Sequence, residues 1–508
     1  MNRTTGLGNM GFRALAWAVI PSLAFLILFA LGDPLAIDDT HSTYHAFGGV
    51  GDVVDSLRSD SHPPLYFMFL AVWMQIGGMS EVWLRLPSIL FSAAAGLSLW
   101  IYGQRVGGGR LGLMFAVFYL FNPIVVAHFH TVRPYALAGL FATLSTIGYL
   151  RLADGGDSQG VSTWWAYVAA NVLGTLTHYW FFFLLAGQGV GALLALRGRK
   201  VWTVLAGLAV SVVPFAVFWT PVFLEQSGGA PTSWMSRPGG WFWLTTIPVR
   251  LVGGDLTLAL VVYGLAFAGF ALRLGRRTGK SRGSDIGELL RDRRVWLLAA
   301  ILLSVFGLAF AVSQIQPVYH LRYTIVATPA FAILLGLALE HLADRRLAAL
   351  VPLSVIVGSL VIRDHGGFSY NPEQDSRAVS ELLIEAYQEG DELLHVTLNY
   401  APTLHYLRAL EPDRVFAQTV FPARVARHPG WRDPEALSAD SLRLRAEATE
   451  LAARLATRPA PSRVWVLADF QRDSSVTRLL IEQLETDFVL QRVVPVQGWW
   501  VSEVRLYE

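Results

Sequence analysis

Residues 60–88 read DSHPPLYFMFLAVWMQIGGMSEVWLRLPS, and the short apolar run inside this stretch, Leu65 to Ile76, decides the topology. The run is about 12 residues long, roughly 18 Å as a helix against a bilayer core of about 30 Å. It is too short to cross a membrane. His62-Pro63-Pro64 opens it, and Tyr66 and Trp73 supply interfacial anchors, so it reads as a helix lying along the membrane surface. Counting it as a span would invert every later loop.

Outward from this stretch the chain consists of longer apolar runs. Hydrophobic residues make up 53% of the 508 and charged residues 15%, below the roughly one quarter usual in soluble domains. Spans are expected over 14–32, 84–104, 111–129, 134–151, 164–178, 180–196, 201–223, 255–273, 295–313, 324–341 and 347–362, about eleven in all. The two runs 164–178 and 180–196 form a hairpin bent at His178-Tyr179. Ala14–Leu31 follows Arg3 and Arg13 as a signal peptide would, but it exceeds a typical signal core and further spans follow, so it reads as the first of them.

Basic residues orient the chain. One set of loops holds Arg105 and Arg110, Arg151, Arg197, Arg199 and Lys200, the cluster from Arg273 through Lys280 to Arg294, and Arg345 and Arg346, about sixteen cations in all. The opposite set holds about six, mainly Arg58, Arg85, Arg133, Arg237, Arg250 and Arg322. The bias puts the N-terminus in the cytoplasm of a multi-pass inner (plasma) membrane protein. The net charge of +2 hides this sorting. Absence of cysteine excludes disulfides, thiolate zinc sites and cysteine nucleophiles.

From Arg363 onward the composition is that of a soluble domain. A periodic helix over Asp375–Glu389 leads to a strand at Leu393–Thr397. Helical patterns cover Ser441–Thr457 and Ser474–Glu485, with a strand at Arg463–Leu467 between them, and 488–496 with 499–507 resembles a closing hairpin. The expected organisation is a transmembrane module over 1–362, with a first outer loop at 33–83, and an extracytoplasmic α/β domain over 363–508.

The first loop is the richest in ionisable groups. Asp38-Asp39 lies just beyond the first span, and Asp60 and His62 precede the short apolar run. Carboxylates at a bilayer edge can simply face water, but desolvating them is expensive, which makes them candidates for function. Other candidates recur at the same side of later spans: His128, His130, Arg133-Pro134-Tyr135, His178-Tyr179, and Tyr319-His320-Leu321-Arg322-Tyr323. Each could be an interfacial anchor, since tyrosine is common there. Arginines on the outer side run against the positive-inside trend, however. Arg133 and Arg322 therefore point to recognition of an anion such as a lipid phosphate.

In this order, Asp38-Asp39, Asp60-x-His62-Pro63-Pro64-Leu65-Tyr66, Ser80-Glu81-x-x-Leu84-Arg85-Leu86-Pro87-Ser88, Arg133-Pro134-Tyr135 and Arg322-Tyr323, the sequence resembles the GT-C membrane glycosyltransferases. It is most similar to the protein O-mannosyltransferase-like branch that includes the lipid A aminoarabinose transferase. The resemblance spans about the first 340 residues and is strongest over 33–135. It implies a polyprenyl-phosphate-linked sugar donor, inverting transfer on the extracytoplasmic side, and an acidic pair whose first member, Asp38, is the base. Position 39 is Asp where the family usually has Glu. Arg322 matches the family's late donor-phosphate arginine, and His62 stands where a related transferase has lysine. His178, His320, Tyr135 and Tyr323 join Arg133 as donor- or substrate-binding candidates.

The residue chemistry fits that implication, because glycosyl transfer from a phosphate needs a base for the acceptor hydroxyl and cations for the departing phosphate. No nucleotide or redox cofactor is required. A divalent metal at Asp38, Asp39, Asp60 or His62 fits the ligand types, but the spacing establishes no coordination site. The acceptor is a glycan, lipid or protein, and nothing points to nucleic acid. Two other readings compete: a lipid or polysaccharide transporter, which usually places its ionisable groups near the midplane and shows internal repeats, and a lipid-linked oligosaccharide ligase or polymerase, whose large functional loop is expected late in the chain.

Overall fold

The structure, a computed structural model, describes residues 17–28, 31, 34–58, 60–155, 160–228, 235, 237–240, 249, 256–276, 284–342, 347–361, 375–423, 441–458, 463–470, 474–498 and 501–508. Arg250, Lys280, Arg345, Arg346, Arg363 and both ends of the expected first span lie outside the described residues. The chain forms two compact units. One holds Met1–Gly32, Arg85–Thr220 and Met235–Ser369; the other holds Asp33–Leu84, Pro221–Trp234 and Tyr370–Glu508.

The first unit is helical. Helices Glu81–Gly107, Tyr135–Asp154, Arg199–Phe218, Arg293–Ser313 and Leu321–His341 are long and apolar enough to cross a membrane, and Trp17–Leu28, Gly109–Leu120, Phe181–Ala195, Leu256–Ala271 and Leu350–Leu360 are shorter apolar helices. Several expected runs are interrupted. The run 111–129 breaks into Gly109–Leu120 and Pro123–His128, because Pro123 has no N–H and Asn122 caps the second piece by accepting from the Ile124 N–H at 3.0 Å. The run 201–223 divides into Arg199–Phe218, in this unit, and Thr220–Gly228, which from Pro221 on belongs to the second. Arg293–Ser313 passes through a π-turn at Ser304–Leu308, where the Ser304 hydroxyl donates to the Phe183 carbonyl instead.

Buried polar groups tie these helices together. Tyr167 donates to the Gln188 side-chain oxygen at 2.7 Å, the Gln188 amide donates to Ser145 at 2.8 Å, and Ser145 donates to Asn171 at 2.5 Å. Such links stabilise apolar helices that have little hydrophobic reason to associate in lipid. Glycine allows the closest approach: a Cβ on Gly187 would stand 2.6 Å from the Ile301 Cα.

In the second unit the 60–84 stretch folds as a tight helical corner. Leu65–Gly77 is a 13-residue helix. Gly78, with φ +81°, ends it. Trp73 and Trp83 then stack with ring centroids 4.2 Å apart, each indole N–H donating to the other's carbonyl at 2.8 and 3.0 Å. Any Cβ on Gly77 would collide with the Trp83 ring.

The same unit carries a five-stranded sheet of β1 (Glu392–Val396), β2 (Gln418–Phe421), β3 (Val464–Ala468), β4 (Leu490–Gly498) and β5 (Val501–Tyr507), ordered β2-β1-β3-β5-β4. β1 runs parallel to β2 and β3, while β5 runs antiparallel to β3 and β4. Both faces are covered, which is why β1 and β3 read as continuous apolar runs. Leu394, Val396, Val464 and Val466 pack under helices Ser441–Ala456 and Ser474–Leu484. Leu393, Trp465 and Leu467 pack on the other face with Val379 and Leu383 of helix Ser376–Ala386 and Leu407 of helix Tyr400–Leu410. The expected helix over 375–389 ends at Ala386 and starts at Asp375, whose carboxylate accepts from the Arg377 N–H at 2.8 Å. Helix Tyr400–Leu410 and strand β2 had no expectation in the sequence.

Candidate active site

The acidic candidates lie in the second unit, on the first turn of helix Ile37–Ala46. Asp38 is 4% exposed and Asp39 3%. Asp39 occupies the third helical position, and its Oδ2 accepts from the Ala36 N–H at 3.3 Å, the return bond of a capping box. A side chain one methylene shorter than glutamate is thus folded back on the helix start. Asp38 sits at the positive end of the helix dipole, which favours a negative charge there.

Two turns further along the same helix, His45 enters a second cluster. Its Nε2 lies 3.2 Å from Asp60 Oδ2, its Nδ1 lies 2.7 Å from Ser56 Oγ, and His62 Nδ1 stands 3.2 Å from the same Asp60 oxygen. Phe67 meets both imidazoles edge-on, at 5.6 and 5.7 Å between ring centroids. Burial works to raise the Asp60 carboxyl, but the charges and hydrogen bonds of His62 and His45 outweigh it and hold Asp60 well below the usual carboxylate range. His62 therefore serves first as a partner of Asp60. This arrangement does not fit a metal. Both imidazoles engage one carboxylate oxygen directly, Asp39 is turned to the backbone, and among the described residues no three His, Asp or Glu side chains form a metal-holding group.

The basic candidates lie in the first unit, and three separate segments bring them together. Arg133 and Pro134 lead into helix Tyr135–Asp154; His178 lies in the turn between helices Gly160–Thr175 and Phe181–Ala195; His320, Arg322 and Tyr323 open the 3-10 turn Leu321–Ala327. The Arg133 guanidinium carbon lies 5.9 Å from the centre of the Tyr135 ring, and that of Arg322 lies 5.7 Å from the same ring and 5.5 Å from Tyr323. His178 packs against both tyrosines, 4.9 Å from Tyr323 and 5.8 Å from Tyr135, and His320 lies 5.5 Å from Tyr323. Both guanidiniums are buried, with 3% and 4% exposure. The aromatic rings stabilise them through their π faces.

The backbone also sets the histidine tautomers. The Trp180 N–H donates to His178 Nδ1 at 3.2 Å, and the Arg322 N–H donates to His320 Nδ1 at 3.4 Å. In each neutral ring the proton is therefore on Nε2, which makes Nε2–H a donor. Two guanidiniums and two imidazole donors around a pair of tyrosines form a set suited to phosphate and sugar oxygens.

Of three nearby residues, His128 was among the sequence candidates, whereas Trp180 and Arg85 were not. Trp180 packs on Tyr323 at 5.7 Å, and His128 on Tyr135 at 4.7 Å. Arg85, 2% exposed, is near enough to His130 that burial first and then the Arg85 charge push that imidazole down to about 3. Arg85 belongs to the WLRLPS segment, where an arginine within an apolar helix was its own signal. His45 lies on the Asp38 helix at a spacing of seven residues, a helical repeat that marks a shared face.

The far end of helix Tyr135–Asp154 meets other basic residues, which cap its carbonyls. Lys200 donates to the Ala153 and Asp154 carbonyls at 2.8 and 2.9 Å, and Arg293 donates to Ala153 at 3.1 Å. The helix has 20 residues, about 30 Å, which matches a bilayer core. The tyrosine–arginine cluster and these basic loops lie at its two ends.

Residues 61–221 match the family model of dolichyl-phosphate-mannose-protein mannosyltransferase. ArnT from Cupriavidus metallidurans in the apo state superimposes with a TM-score of 0.63 at 14% identity, over 97% of this chain and 98% of that one. The chain carries the GT-C glycosyltransferase fold. Arabinofuranosyltransferase AftD from Mycobacteria shares it at a TM-score of 0.51 and 16% identity, over 97% of this chain and 40% of AftD. No curated protein matches the chain. The matched segment contains His62, Arg85, Arg133, Tyr135 and His178, while Asp38 and Arg322 fall outside it. The shared fold agrees with the motif resemblance.

Proposed function

We propose that this chain is an inverting glycosyltransferase that moves a hexosyl or pentosyl group from a polyprenyl-phosphate donor to an envelope acceptor, with Asp38 as general base and Arg322 on the donor phosphate. The observation that carries this reading is the convergence of Arg133 and Arg322 on the Tyr135 ring beside His178, from three separate segments. A phosphate held there would be met by planar, permanently charged forks and by Nε2–H donors. The family matched by 61–221 is named for a dolichyl-phosphate-linked sugar, and the Cupriavidus ArnT has also been solved bound to undecaprenyl phosphate. Both lipids are polyprenyl phosphates.

In the proposed reaction the acceptor hydroxyl attacks the anomeric carbon from the face opposite the phosphate, and Asp38 takes its proton. The bond from the anomeric carbon to the phosphate oxygen breaks, and its electron pair leaves with the phosphate. Arg322 and Arg133 offset the charge that develops there. Asp39 caps the helix start and so fixes the backbone that presents Asp38.

The proposed topology has about eleven spans, a cytoplasmic N-terminus and extracytoplasmic chemistry. Lys200 and Arg293, from two loops of the basic set, meet at one end of a bilayer-length helix whose other end carries Tyr135, and this supports the assignment.

The base assignment is tested by Asp38→Asn, which removes proton acceptance at nearly constant shape. A loss of about 100-fold or more in recovery of the envelope glycan of a deletion strain is expected, with undecaprenyl-phosphate binding retained. Full recovery of the glycan by the Asn variant would end the assignment.

A further inference from the structure

Helix Ile37–Ala46, which carries Asp38, belongs to the same compact unit as the C-terminal sheet. Its first turn is tied to helix Tyr400–Leu410, which follows β1. The Leu35 N–H donates to the Tyr406 hydroxyl at 2.7 Å, and that hydroxyl donates to Glu81 Oε1, also at 2.7 Å. Arg377 of helix Ser376–Ala386 grips the Glu81 carboxylate with both arms of its guanidinium, through Nε at 3.1 Å and through Nη2. Its guanidinium carbon lies 6.0 Å from the centre of the Tyr406 ring. Thr43 on the acidic helix meets His405 Nδ1 at 3.0 Å, and Tyr44 meets Tyr400 edge-on at 5.2 Å.

The chain enters the 400–410 helix through Thr397, whose φ of +59° is the one non-glycine positive value among the described residues. Such a conformation costs about 1 kcal/mol and persists only where surrounding contacts hold it. Burial, and then the Glu81 charge, raise the Tyr406 phenol, so it remains a neutral hydroxyl able to donate and accept at once.

The structure assigns Tyr406, Glu81 and Arg377 as positioning residues for the proposed reaction: through Leu35 they set the start of the helix that presents Asp38. The C-terminal α/β domain is in this account part of the catalytic apparatus without touching substrate. The assignment rests on the reading of Asp38 as the base. Its geometry is also testable independently of that reading.

The experiment is hydrogen–deuterium exchange on the full-length chain in nanodiscs, read by mass spectrometry over amides 35–41 and, as a control, over β3. Tyr406→Phe keeps the ring and removes one hydroxyl that serves two hydrogen bonds. Exchange over 35–41 should accelerate about five-fold, with β3 unchanged. Envelope glycan recovery in a deletion strain should fall by a similar factor, while undecaprenyl-phosphate binding stays at the wild-type value. Charge reversal supplies the second arm. Glu81→Lys and Arg377→Glu should each accelerate exchange, and the double variant should restore protection and glycan together, which loss of packing alone would not do. Unchanged exchange in Tyr406→Phe, or a double variant no better than its singles, would overturn the assignment. An active Asp38→Asn variant would remove the base reading alone, because exchange reports the helix start whether or not Asp38 takes a proton.

Discussion

Replacing Arg322 tests the donor site most directly. Its guanidinium lies over two tyrosine rings, 5.7 and 5.5 Å from their centres, in a buried setting. On a bound phosphate it would make two charge-assisted hydrogen bonds, each worth about 1.5 kcal/mol at the low end. Arg322→Ala removes both, so undecaprenyl phosphate should bind about 3 kcal/mol more weakly, roughly 150-fold in dissociation constant. Arg322→Lys keeps the charge and one bond but loses the fork, and should cost roughly ten-fold. The assay is lipid titration in nanodiscs with wild type, Ala and Lys variants, beside a thermal scan that reports folding. Equal affinities for the three proteins would refute the phosphate role and leave Arg322 as a packed interfacial cation. An Ala variant weakened no more than Lys would show that the bidentate fork, and not the charge by itself, carries the binding.

Two further predictions concern stability and topology. Burial pushes His405 down to about 3 and His395 to about 4, the latter against the raising effect of its hydrogen bonds to Gln418 and Asn399. Both folded values lie below the unfolded 6.5, so the neutral rings stabilise the fold fully above pH 6.5 and lose that contribution as pH falls toward 4 and 3. At pH 5 each costs about 2 kcal/mol relative to pH 8. Exchange from β1 and β3, corrected for intrinsic rates, should rise accordingly, and His405→Asn should flatten the slope by about half; a pH-independent protection would contradict the burial argument. Asp391, held low by Arg463 against the raising effect of burial, adds to acid lability only below about pH 4. For topology, reporter fusions after Lys200 and after Arg282 should read as cytoplasmic and one after Tyr370 as extracytoplasmic. A cytoplasmic reading at Tyr370 would invert the proposed face of catalysis.

What the sequence determined by itself had local causes. Apolar runs marked the helices, because a helix in lipid must satisfy its own backbone and shows this in composition. His62-Pro63-Pro64 and the Gly77-Gly78 corner fixed the short 65–77 helix, and short, largely apolar runs located β1, β3 and the closing hairpin. Motif order indicated the GT-C resemblance, and arginines at unfavourable span ends marked Arg133 and Arg322 before any geometry. Only the tertiary structure decided how those residues were used. His62 became a partner of Asp60 together with a histidine, His45, that the motifs had not flagged. Arg133, His178 and Arg322 converged from separate segments. Leu35 and Tyr406, 371 positions apart, shared a hydrogen bond. Periodicity and turn chemistry act over a few residues, whereas a hydrogen bond depends only on distance in space, and the packing of helices on helices and on a sheet is what turns one into the other.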